Sequence, residues 1–152
     1  MLPLNGEATS FLATSFNERS AMFSPDGRWL AYASNESGRS EVYVQAYPGP
    51  GGKWPISIEG GTEPMWSRDR RELFYRQGNK MMAVAVKTVP TFTADKPRLL
   101  FEGPYATSTL APYYDVSLDG QRFLMIKAAE GPTQINVVLN WFEELKRLVP
   151  TN

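Results

Sequence analysis

The sequence predicts an all-β protein, a β-propeller with three four-stranded blades per chain and a short C-terminal helix. One observation is a repeat. Ala21-Met-Phe-Ser-Pro-Asp-Gly-Arg-Trp-Leu-Ala-Tyr32, Pro64-Met-Trp-Ser-Arg-Asp-Arg-Arg-Glu-Leu-Phe-Tyr75 and Tyr114-Asp-Val-Ser-Leu-Asp-Gly-Gln-Arg-Phe-Leu-Met125 superpose without a gap. A second is the period, 43 residues from Ser24 to Ser67 and 50 from Ser67 to Ser117, the spacing of propeller blades. The third is a series of short apolar and aromatic runs divided by Gly-, Pro-, Asn- and Ser-rich loops, the pattern of sequential strands.

Each unit reads as four strands. An inner strand ends at the repeated Ser and turns through Ser-x-Asp-Gly into a second strand: Trp29 to Ser34, Glu72 to Arg76 or Arg122 to Lys127. The turn has a mechanical reason. Pro25 presets φ, Asp26 bonds the backbone two residues on, and Gly27 or Gly120 supplies a positive φ. The second unit places Arg70 where that glycine belongs, so a side chain is forced into the left-handed region at a cost of about 1 kcal/mol.

Polar loops follow at Asn35 to Ser40, Gln77 to Lys80 and Ala129 to Pro132, then third strands at Glu41 to Ala46, Met81 to Val86 and Gln134 to Leu139. Fourth strands are expected at Trp54 to Ile58 and Arg98 to Phe101. The blades therefore span approximately residues 18–58, 60–102 and 111–140 of one domain, 1–152. The third unit lacks an outer strand. Asn140 instead caps a helix over 141–148 with an apolar face of Trp141, Phe142, Leu145 and Leu148, stopped by Pro150. Residues 10–16, Ser-Phe-Leu-Ala-Thr-Ser-Phe, have strand composition and stand where a preceding blade's outer strand would be.

Composition removes several function classes. Lys plus Arg and Asp plus Glu are 16 each, so net charge is zero, and the field that steers a nucleic-acid or anionic-membrane binder is missing. The chain has no cysteine and no histidine. That excludes disulfides, thiolate nucleophiles, Ser-His and Cys-His pairs and the usual zinc and copper ligands, and neither metal nor cofactor is expected. The longest relevant apolar run, Met81 to Val86, is far shorter than the roughly 18 to 20 residues of a membrane span. Met1 to Phe16 has neither the basic start nor the apolar core of a secretory signal.

The segment Phe23-Ser-Pro-Asp-Gly-Arg-Trp-Leu-Ala-Tyr32 resembles the WD40-like PD40 repeat of TolB-type β-propellers. Gly60 to Ser67, Pro97 to Tyr105 and Gln134 to Leu148 resemble the C-terminal propeller of bacterial membrane serine/threonine kinases. The resemblance covers nearly the whole chain. It implies an extracytoplasmic, periplasmic sensing or interaction role, because in that family the propeller follows the membrane span. This chain carries no kinase Gly-rich loop, catalytic-loop His-Arg-Asp or kinase lysine motif.

Propellers close with about 4 to 8 blades, so three leave two blade faces open. A homodimer would give six, with residues 10–16 of one chain exchanged beside Gln134 to Leu139 of the other. The alternative is a piece of a longer propeller.

Binding is expected on the face where outer-to-inner connections meet the loops between second and third strands. That face collects Asn17, Glu18 and Arg19, then Thr62 and Glu63, then Tyr105, Tyr113 and Tyr114, along with Asn35 to Arg39 and Gln77 to Lys80. Acidic and basic groups beside tyrosines suit a peptide, a protein or a carbohydrate; the plain alternative is a set of solvated loop residues. An enzyme, either a propeller glycosidase or a peptidase's gating domain, would need Glu18, Glu63 and Asp115 to converge in the channel. Asp26, Asp69 and Asp119 recur at one turn position, so they read as turn caps, and Ser24, Ser67 and Ser117 share that explanation. A purely structural domain is the third reading. Trp29, Trp66, Tyr32, Tyr75 and Phe123 fall at strand spacing and read as inter-blade core.

Overall fold

The structure, a computed structural model, describes residues 6–8, 10–108 and 111–127. Among them every regular element is a β-strand and every pairing is antiparallel. The first sheet runs β1 (Glu18–Phe23), β2 (Trp29–Ser34), β3 (Glu41–Ala46) and β4 (Lys53–Pro55), in that order. The second has β5 (Thr62–Trp66), β6 (Glu72–Gln77) and β7 (Lys80–Lys87) in order. Its outer edge is shared end to end, with β8 (Thr93–Ala94) on Val86 and Lys87 and β9 (Arg98–Glu102) on Lys80 to Ala83. The third unit shows one hairpin, β10 (Tyr114–Val116) and β11 (Phe123–Met125). Its expected third strand at 134–139 and the helix at 141–148 lie outside the described residues.

The repeated turn has one construction in all three units. Ser24 Oγ donates to Asp26 Oδ1 at 2.6 Å and accepts from Trp29 N at 3.0 Å. Ser67 does the same with Asp69 at 2.7 Å and Glu72 N at 2.9 Å, and Ser117 with Asp119 and with Arg122 N at 2.9 Å. The expected left-handed position is there in each: Gly27 at φ 69°, Arg70 at 63° and Gly120 at 70°.

Strand alternation sends odd and even residues of each hairpin to different neighbours. On β6, Leu73 and Tyr75 join Ala31, Val42, Val44 and Ile56 of the first sheet in the main core. Phe74 faces the other way, with Tyr114, Phe123 and Met125 of the third unit, and the Phe74 and Phe123 rings meet edge to face at 5.0 Å. Burying a side chain of this size is worth about 2 to 3 kcal/mol. The sheets therefore stack in chain order. Trp29, Trp54 and Phe92 close the far end of the first interface with ring centroids 5.1 to 5.4 Å apart. Four of the five aromatics expected between blades are there, Trp66 and Tyr75 with Trp29 against them, and Phe123; Tyr32 is buried instead on the first sheet's outer face, against Phe11 and Leu12.

Two faces have no sheet of the described residues upon them. Leu124, which superposes on Ala31 and Phe74, is 74% exposed on the far side of the third unit. The first sheet's outer face carries Leu30, Tyr32 and Tyr43, against which Phe11 and Leu12 pack. Within the single chain residues 10–16 form no strand. Phe11 also meets the Tyr47 ring at 5.2 Å. An apolar segment beside an uncovered aromatic face of its own chain gains burial by folding onto it.

Candidate functional site

The expected loop face is built around two bulges. β1 and β5 each slip register against the following strand, between Arg19 and Met22 and between Thr62 and Met65. The extra residue is Ser20 in one and Glu63 in the other, with φ at 52° and 54°. They superpose in the repeat. Such bulges bend a strand end and re-aim its side chains.

Beside them lies a cleft of about 240 Å³. Asn17, Arg19 and Ser20 line it from the start of β1, Ala33 and Asn35 from the end of β2, Ser40 from before β3, Thr62 from β5, and Ser108 from the connection ahead of β10. Asn35 Oδ1 accepts from Asn17 N at 2.8 Å, and Ser40 Oγ donates to Gly61 O at 3.1 Å. Of the eight residues expected at the site, Asn17, Arg19 and Thr62 come together here, and Asn35 joins them from the loop named alongside.

The other five stand elsewhere. Glu18 accepts from the Thr14 hydroxyl. Tyr105 lines a separate groove of about 520 Å³ with Phe74, Phe101 and Phe123. Tyr113 is exposed. Glu63 is 0% exposed, its Oε1 accepting from Ser108 N at 3.0 Å and its Oε2 from Tyr113 N at 2.8 Å. Tyr114 is buried and donates its hydroxyl to Glu63 O at 2.7 Å. Burial, and then the Glu63 charge, hold the Tyr114 hydroxyl well above its ordinary range, against an opposing pull from Arg76. Glu63 and Tyr114 thus tie the long connection to the second sheet and are not on the loop surface. Asp115, the remaining carboxylate of the enzyme reading, is exposed and caps Val116 N at 2.8 Å.

Three features of this region were not read from the sequence. Ser20, Ser40 and Ser108 line the cleft, and the superposition of Ser20 on Glu63 was the available signal. Glu41 is buried, accepting from Arg39 Nε at 2.7 Å, Gly60 N at 2.9 Å and the Ser57 hydroxyl, and so holds the connection into β5. Arg76 is 1% exposed; it donates to Gly78 O at 2.9 Å and lies over the Tyr105 ring at 5.8 Å. No cluster of three or more acidic residues among the described residues is arranged to hold a metal ion.

Fold and cleft define, over the described residues, a set of stacked antiparallel sheets with a recess of small and polar side chains where inner strands begin. No family model and no curated protein sequence matches the chain.

Proposed function

We propose that the chain is a β-propeller module that binds a ligand without transforming it, similar to the extracytoplasmic sensor part of a bacterial membrane kinase. The observation that carries this is the cleft. Residues as far apart in sequence as Asn17, Thr62 and Ser108 line one recess, and none of the residues lining it is a carboxylate, cysteine or histidine. A recess with donors and no acid–base pair suits recognition over catalysis. The constant order of the faces, alternate residues of β6 addressing the preceding and the following sheet, supports a propeller. A second copy closes the ring, its first unit meeting the Leu124 face of this chain once Phe11 and Leu12 leave that unit's outer face, because the Leu124 face repeats the position by which β6 addresses the third unit.

Amide chemical shifts followed during titration with short peptides and oligosaccharides test the binding role. The reading expects Asn17, Asn35 and Thr62 to shift together. Shifts confined to other residues, or none with any ligand, would overturn it.

A further inference from the structure

We propose that the cleft recognises the terminal carboxylate of a peptide, with Arg19 as the group that holds it; this rests on reading the cleft as the binding site. Two groups tip the wall toward donors, the Arg19 guanidinium and the Asn35 amide, while the Ser40 proton already goes to Gly61 O. Arg19, like Arg68 and Arg76, makes no ion pair among the described residues, and of these three it alone lines the cleft; Arg28, Arg39, Arg70, Arg71, Arg98 and Arg122 each meet a carboxylate. Asn35 has its oxygen committed to Asn17 N–H, which leaves its NH₂ to donate.

The carboxylates nearest in sequence do not neutralise Arg19. Glu18 precedes it on the strand, so alternation turns the two to opposite sides, and Glu18 is engaged by Thr14. Glu63 is buried behind two backbone N–H groups. A guanidinium beside an amide NH₂ is complementary to a planar carboxylate, which the guanidinium binds through two parallel N–H···O bonds.

Size and lining narrow the class further. About 240 Å³ is below the roughly 300 to 1,000 Å³ of sites that enclose a drug-sized molecule, so the cleft takes one terminal residue and leaves the rest of the ligand outside. No aromatic ring lines it, and the flat apolar platform on which a sugar would stack is absent. Ala33 gives a small apolar wall beside the donors, which fits a short side chain next to an α-carboxylate. Ser20, held at positive φ in the wall, is the kind of strained residue that clusters at ligand sites.

The test uses the full chain and three probes: acetylated trialanine with a free C-terminus, the same peptide amidated, and galacturonic acid. Each is titrated against wild type, Arg19→Gln, and Arg122→Gln as a control in an exposed turn. The proposal expects the free acid to bind at least tenfold tighter than the amide. Arg19→Gln abolishes that difference while its melting temperature stays at the wild-type value, and Arg122→Gln preserves it. Equal binding of acid and amide at the cleft, or an unchanged preference in Arg19→Gln, would sink the carboxylate assignment and leave the binding role standing. Tighter binding of galacturonic acid than of the free peptide would overturn the peptide assignment. No cleft shifts with any probe, or with the wider ligands above, would remove both.

Discussion

Arg70 adopts, at φ 63°, the backbone conformation that Gly27 adopts at 69° in the preceding turn, and its guanidinium reaches back to Asp26 of that turn at 3.5 Å. A residue with a Cβ occupies a position built for glycine, and its side chain links the first two units. The left-handed conformation costs about 1 kcal/mol, whereas an exposed ion pair returns only a few tenths. Arg70→Gly is therefore expected to raise stability by somewhat less than 1 kcal/mol, about 1 to 3 °C in melting temperature for a chain of this length. Arg70→Ala keeps the strain, loses the pair and lowers it. A melting series of the three proteins checks the order.

Asp26 makes stability depend on pH. Burial pushes its carboxyl up, but hydrogen bonds from Ser24 and Arg28 outweigh that and bring it down to about 2 from 3.8. The unfolded chain then binds more protons between these values. The stabilisation, about 1 kcal/mol once solvent screening is allowed for, is complete above the unfolded value and lost as pH falls through the folded one. Denaturation midpoints measured from pH 6 to 2 should drop below pH 4, and Asp26→Asn should flatten the drop. At the alkaline end, burial and then the charges of Glu41 and Glu59 raise Tyr75 to about 12. Stability should decline again from pH 10 upward.

Glu63 acts through structure. Glu63→Gln substitutes an amide, which can accept at only one of the two positions where Ser108 N and Tyr113 N donate. The expected loss is about 2 kcal/mol of folding stability. Tyr114→Phe removes one hydroxyl, donated to Glu63 O, and should cost about 1 kcal/mol. Urea denaturation of both and of the double variant checks the coupling, since partners in one network give non-additive losses.

Much of the fold could be read from the sequence because the repeat is carried by local chemistry. The Ser, Asp and Gly of the turn bond each other within five residues, and β2 and β3 coincide with the expected Trp29 to Ser34 and Glu41 to Ala46. What could not be read depends on contacts between distant segments. Glu63 looked like a surface acid because nothing in its own strand announces that Ser108 and Tyr113 will enclose it. The bulges at Ser20 and Glu63 leave no mark on local composition. Phe11 and Leu12 pack on an apolar face formed by the distant Leu30, Tyr32 and Tyr43, and β8 is only two residues long. For the cleft, Asn17, Arg19, Asn35 and Thr62 were legible from strand order alone, while the serines that complete it were not.

The order of the faces makes the central claim open to one decisive measurement, solution mass by light scattering during size-exclusion chromatography, over a range of concentrations. A ring closed by a second copy through the exposed Leu124 face predicts a mass twice 17.1 kDa for the wild type and a folded monomer for Leu124→Glu. A wild-type chain that stays at the monomer mass at every concentration would contradict it.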